Sequence, residues 1–401
     1  MLLVLGAGLQ GVLLPVRAHL DGFSDQAVGW LGGAFYAGFV LGCIAAPRLL
    51  RRAGHTRVFA VLAVVAAQTF PLHAAMPAVA AWLGLRLVSG FCFAGLSMVV
   101  ESWINEISVN GERGRSLSFY LVVSAIATVA GQSLVRLTDV TGSTPFLLVC
   151  LCISLSLVPT ALSVAPAPRP VADVTLRIGR LYRTSPVGLL GCLGVGMANG
   201  SFGALAPLFL QARGRSPDDV ALFLAAAVLG GACLQWPVGH LSDRIDRRLV
   251  LLFGCLGALF VALPLALLPG LSWGALLVLA GAFGATAFPL YALCVAHAND
   301  HAAPGGFVET SGGLLLTFGI GAAIGPLVAP AVMAAYAGGL FLFTAAVHLV
   351  LGLVIAWRMS RRRRPLPRRA LAVAAVKGFP APPRAADPAA LSRSPPRWAV
   401  R

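Results

Sequence analysis

Apolar residues run along this chain in blocks of about twenty, each closed by a short cluster of arginine, glycine, proline or acidic residues. A bilayer core about 30 Å thick is crossed by about 20 apolar residues in helical form. Blocks of that size fall at about 2–19, 28–50, 57–76, 79–102, 117–137, 145–164, 186–209, 219–241, 249–268, 273–297, 308–332 and 338–358. Within them the apolar residues are continuous, with no ten-residue alternation. Lipid leaves no partner for an open backbone, so only helices or a closed barrel can cross it, and a continuous block excludes the barrel. The pattern predicts an all-α membrane protein with twelve transmembrane helices.

Composition agrees. The 401 residues are 58% apolar and 11% charged, with a mean hydropathy of +0.86. Soluble domains carry roughly 25% charged residues. The first block has no basic leader and no small-residue cleavage site, so it reads as a retained helix and not a removed signal peptide.

The net charge is +16, yet the arginines sit in the gaps between blocks and in the C-terminal tail. One set of gaps holds Arg48, Arg51, Arg52, Arg57, Arg113, Arg115, Arg169, Arg177, Arg180, Arg183, Arg244, Arg247 and Arg248. The alternate set holds only Arg17, Arg136, Arg213 and Arg215. That is the asymmetry that orients a membrane protein, so nucleic acid is not an expected partner. The arginine-rich face is expected to be cytoplasmic, with both termini inside a bacterial inner (plasma) membrane. An even number of crossings requires the same.

Eight cysteines, Cys43, Cys92, Cys150, Cys152, Cys192, Cys233, Cys255 and Cys294, all lie inside apolar blocks. None has the spacing of a zinc or redox site, so they read as small apolar residues. No metal and no cofactor is implied. The expected organisation is an N-terminal six-helix bundle over 1–164, an extended cytoplasmic linker over 165–185, a second bundle over 186–358 and a basic, Pro- and Ala-rich disordered tail over 359–401.

The two halves resemble each other at an offset of about 190 residues, an arrangement that recurs in transporters with a substrate site near the midplane. The second block ends in Pro47 to Arg57 and the eighth in Gly239 to Arg248. Gln10-Gly11 precedes Pro15, as Asn199-Gly200 precedes Pro207. Gly239 to Arg248 resembles the cytoplasmic signature of the major facilitator superfamily, Gly-x-x-x-Asp-Arg-x-Gly-Arg-Arg, with Asp246 in place of its second Gly. Arg86-Leu-Val-Ser-Gly90 is similar to the superfamily's Arg-x-x-x-Gly element. Glu101-Ser-Trp-Ile-Asn-Glu106, followed by Arg113-Gly-Arg115, resembles the bacterial YcaD-type subgroup. The resemblance covers residues 1 to about 358 and implies two pseudo-symmetric bundles that rock about a central cavity.

By that pseudo-symmetry, Asp243 and Arg244 should approach Arg113 and Arg115 at the start of the fifth span and form an inner gate. The first half departs from the signature: Arg51 stands where Asp is expected and Pro47 where Gly is. Glu309 lies at the corresponding partner position, which suggests a gate with exchanged charges between Arg51 or Arg52 and Glu309. The plainer reading of each is a solvated loop charge or a helix N-terminal acid.

Arg86 is an ionisable group well inside its span, and such groups mark functional sites by default. It could hold an anionic substrate group, help to move protons, or hold carbonyls of neighbouring helices. Gly90, Ser97 and Glu101 fall on its face of the helix, and Glu101 is the candidate for proton coupling. Gln10, Gln132, Asn199 and Gln235 are uncharged polar groups inside spans, suited to substrate hydrogen bonds or to joining helices. His73 and His297, near span ends, read as interfacial. Short-spaced glycines such as Gly29, Gly32, Gly33, Gly38 and Gly42 read as close-packing surfaces.

The expected function is secondary active transport of a small solute by alternating access, proton-coupled, by a monomer, without enzymatic activity. The alternative is a lipid flippase or another membrane-embedded enzyme that does not use ATP. An enzyme would call for paired buried acids or a nucleophile with a base, and neither pattern is present in the sequence.

Overall fold

A computed structural model describes residues 1–107, 113–162, 178–302 and 307–361, with side chains over 1–104, 119–162, 178–302 and 309–361. The predicted tail beyond residue 361, most of the predicted linker and the side chains of Arg113 and Arg115 lie outside the described residues; residues 359–361 continue the last helix. Met1–Arg361 form one compact unit. Twelve of its helices are long and apolar enough to cross a membrane: Leu2–Leu20, Asp25–Ala53, His55–Ala75, Val79–Ile104, Phe119–Leu137, Thr144–Leu162, Pro186–Gln211, Pro217–Arg244, Arg247–Leu267, Trp273–Asp300, Glu309–Ala335 and Gly339–Arg361. They are called the first to twelfth spans in that order. There is no strand among the described residues.

Each predicted block is one span. Several spans outrun their blocks because a capping side chain, not the last apolar residue, sets the end of a helix. The second starts three residues early because Ser24 Oγ accepts the Ala27 N–H at 3.2 Å. The eighth starts in a reciprocal capping box between Ser216 and Asp219. Gly54, at φ 79°, makes the sharp turn into the third span in a conformation that favours glycine. The tenth span breaks at Phe288, where Pro289 follows and offers no N–H.

Two expectations fail here. The linker is not extended throughout, because Ile178–Thr184 is a short helix; Leu181 is buried and packs against Gly313 of the eleventh span. His73 and His297 are not interfacial: they are 1% and 7% exposed. Trp82 folds back over His73, donating Nε1–H to its carbonyl at 3.0 Å, with the rings 4.9 Å apart.

The halves repeat in their packing. Gly38 lies against the Leu87 carbonyl and Gly90 against the Phe35 carbonyl, where the second and fourth spans cross. Gly230 lies against the Gly281 carbonyl and Gly284 against the Ala227 carbonyl, where the eighth and tenth cross. These sets lie about 190 residues apart, as the duplication predicts. In each, a missing Cβ lets two backbones touch. Gly90 therefore faces the second span and not the cavity, correcting the predicted stripe. The second half also holds a phenylalanine cluster, in which Phe341 meets Phe209 at 4.8 Å and Phe283 at 5.6 Å between ring centroids.

The halves meet at the arginine-poor face. Gln26 Nε2 donates to the Leu327 carbonyl at 3.1 Å, from the second span to the eleventh. Gly29 and Gly32 press against Pro326, and Gly29 also against Pro330. Arg136, at the end of the fifth span, pairs with Asp218 of the eighth at 3.9 Å. Towards the arginine-rich face, Glu101, His240, Asp243 and Arg244 are exposed.

Candidate functional site

The fourth span carries Arg86 inward between the first and second. Phe35, on the second span, lies under the guanidinium at 4.2 Å from its ring centroid. Arg86 Nε–H donates to the Leu31 carbonyl at 3.4 Å, and Nη1–H donates to Gln10 Oε1 at 3.3 Å. Both bonds are long, so they orient the group more than they neutralise it. Among the described residues Arg86 has no acidic partner.

A cavity of about 270 Å³ opens beside this guanidinium. Ala7, Gln10, Gly11 and Leu14 of the first span line it, with Leu31, Phe35 and Tyr36 of the second, Arg86 and Phe93 of the fourth, and Gly203 and Ala204 of the seventh. Both halves thus contribute walls. Gly11 and Gly203 hold space open, since a Cβ at either would meet nothing within 4 Å.

Of the six predicted pathway residues, Arg86 and Gln10 come together at the cavity. Glu101 lies further along the fourth span, exposed towards the arginine-rich face, and does not line the cavity. Asn199, Gln132 and Gln235 do not line the cavity. Asn199 Oδ1 and Gln132 Oε1 are buried without partners, turned into the helix packing. Tyr36, Phe35 and Phe93 were missed. A phenol within an apolar, glycine-rich span was the available signal for Tyr36; the two phenylalanines offered none.

At the arginine-rich face, Asp243 pairs with Arg247 at 2.7 Å, and Arg247 also pairs with Asp300 at 2.7 Å and donates to Ser242 Oγ at 2.8 Å. Its described partner is thus in its own half. Asp246 caps the ninth span by accepting the Arg248 N–H at 3.0 Å, and pairs with the buried Arg248 guanidinium at 2.8 Å. Burial pushes its carboxyl up, but the hydrogen bonds and charge of Arg248 outweigh that and hold it below its ordinary value. Arg51 and Arg52 are exposed at the end of the second span, and Glu309 is half-buried at the start of the eleventh. These two spans pack antiparallel, Gly29 by Pro326 and Val40 by Gly319, so these ends approach the same face.

A family model described as Major Facilitator Superfamily matches residues 1–315. An uncharacterized MFS-type transporter, YcaD of Escherichia fergusonii, is 27% identical over 359 residues, covering 87% of this chain and 91% of the relative. Among solved structures, the nucleoside transporter NupG aligns with a TM-score of 0.73 at 16% identity, over 90% of this chain and 98% of that one. A bacterial homolog of the human lysosomal transporter Spinster, in an inward-facing and occupied conformation, aligns with a TM-score of 0.72 at 17% identity, over 91% and 96%. At these identities the structures share the fold.

Proposed function

The chain belongs to the Major Facilitator Superfamily, and from that premise we propose that it is a secondary active transporter that carries a small solute through the Arg86 cavity by alternating access, coupled to protons. The observation that carries this reading is a cavity walled by both halves, closed at one face where Gln26 meets Leu327 and Gly29 meets Pro326, with a cation on its wall that has no acidic partner among the described residues. A site walled by both halves is exposed to one side or the other as they rock.

In this reading the arginine-rich face is the cytoplasmic one, both termini lie inside, and the membrane is the bacterial inner membrane. Bundles over 1–164 and 186–358 are the rocking bodies, joined by the 165–185 linker. Arg86 and Gln10 hold the solute. Glu101 carries the proton, as an exposed carboxyl on the same span as Arg86, beyond the cavity towards the arginine-rich face. Asp243 and Arg244 with Arg113 and Arg115, and Arg51 or Arg52 with Glu309, close the inner face in the opposite state. The resemblance to a fold seen inward-facing and occupied supports assigning the sealed face to the outside.

Proteoliposome uptake of any solute that stabilises the purified protein tests this. An inward pH gradient should accelerate uptake by the wild type. Glu101→Gln should keep solute exchange and lose the response to the gradient. Uptake indifferent to the gradient in the wild type would exclude proton coupling.

A further inference from the structure

The chemistry of the cavity wall narrows what the site can hold. A guanidinium has five N–H donors. In Arg86 the Nε–H and one Nη1–H are engaged by Leu31 and Gln10. Three donors, both of them on Nη2 and the second on Nη1, have no protein partner among the described residues. They belong to a guanidinium that lines the cavity 4.2 Å from the Phe35 ring centroid, leaving it an edge with free donors. A planar carboxylate matches such an edge with two parallel hydrogen bonds.

The rest of the wall carries little polarity. Beyond Arg86, its polar side chains are Gln10 and Tyr36; the remainder is aliphatic, glycine or phenylalanine, including Phe93. No carboxylate lines it, so an ammonium group would be desolvated there without a counter-charge. A second anionic group would find no second cation. A sugar would leave most of its hydroxyls unpartnered. A volume of about 270 Å³ lies just below the roughly 300–1,000 Å³ of pockets for drug-sized ligands, which suits a smaller body.

Resting on the transport reading for its location, we infer that the ligand of this site is a small monocarboxylate with an apolar body, its carboxylate on the Arg86 fork and its hydrocarbon or aromatic part against Phe35, Phe93 and Leu31. Gln10 acts as a positioning residue, holding the guanidinium so that its free edge faces the cavity.

The test is thermal stabilisation of the purified full chain by benzoate and 4-methylpentanoate. Benzamide, 4-methylpentanamide, leucine and succinate serve as comparisons. The two acids should stabilise, and the amides, the zwitterion and the diacid should not. Arg86→Gln should bind benzoate more than tenfold more weakly. Should that variant fail to fold, Gly203→Val decides, because its side chain enters open space. It should lose the benzoate response and keep that of propanoate. An amide that stabilises as well as its acid, a stronger response to leucine or succinate, or an unchanged benzoate response in Gly203→Val would overturn the ligand class. Counterflow in proteoliposomes separates the two readings. Benzoate that binds through Arg86 but is not exchanged overturns transport and leaves the ligand class standing. Exchange of an uncharged solute that is indifferent to Arg86→Gln does the reverse.

Discussion

If the glycine–proline contact between the second and eleventh spans is a seam that opens, adding one methyl group there should move the protein between states more than it unfolds it. A Cβ at Gly29 would overlap the Pro326 carbonyl oxygen and come within 2.6 Å of Pro330 Cγ. Backbone carbonyl and proline ring cannot swing aside as a flexible side chain would. The eleventh span must retreat by about 1 Å, an overpacking strain of about 1–3 kcal/mol. Retreat also loosens the Gln26 to Leu327 hydrogen bond and the contact of Gly32 with Ala204. Opening the arginine-poor face relieves the strain entirely, so the ratio of open to closed states should rise by about 5- to 150-fold. The control is Gly38→Ala, whose Cβ would meet the Leu87 carbonyl within one half. It should lower the melting temperature in either state without changing their ratio. Spin labels at Asp25→Cys and Ala331→Cys, both exposed near the seam, in a background lacking the eight native cysteines, would report the distance between the spans. Gly29→Ala should add or enlarge a long-distance population. An unchanged distance distribution with a fall in melting temperature like that of Gly38→Ala would show that the seam is static packing.

Phe341→Ala should cost about 3–5 kcal/mol, since the ring is fully buried against Phe209 and Phe283; a loss under about 1 kcal/mol in detergent unfolding would contradict the cluster's role. Asp246→Ala should cost about 3 kcal/mol or more, because it leaves the buried Arg248 guanidinium unpaired. The Asp246 carboxyl is depressed in the folded state, so its contribution is present above the ordinary carboxyl value of about 3.9 and is lost as pH falls through the folded value. Melting temperatures should accordingly fall less steeply between pH 5 and about pH 2 for Asp246→Asn than for the wild type. Asp218→Asn should change stability by less than about 1 kcal/mol, because its ion pair with Arg136 is exposed on both sides and salt screens it.

The number and placement of the spans were legible because the bilayer imposes one length on every crossing and one sign on the loops between them. The faces of those spans were not. A soluble helix shows its buried side by polarity, but here lipid and protein interior are both apolar, so the pattern around each helix carries little direction. That is why Gln10 and Asn199, at matching positions of the two halves, looked alike in sequence while only Gln10 reaches the cavity. Its partner Arg86 is 76 residues away, and nothing local links them. His73 was misread for a related reason: its place near a span end suggested the interface, but Met76, Pro77 and Ala78 turn the chain so tightly that Trp82 returns over it. The signature loop makes the converse point. Asp246 stood out as a departure from the family pattern, and the structure gives it work that a glycine could not do, capping the ninth span and balancing a buried arginine. With Arg247 held by Asp243 and Asp300 as well, Asp243, Asp246 and Asp300 all pair with arginines of their own half. An inner gate built on Asp243 therefore shares that carboxylate with Arg247 when the halves close, and its strength depends on what the new pair adds to the existing one.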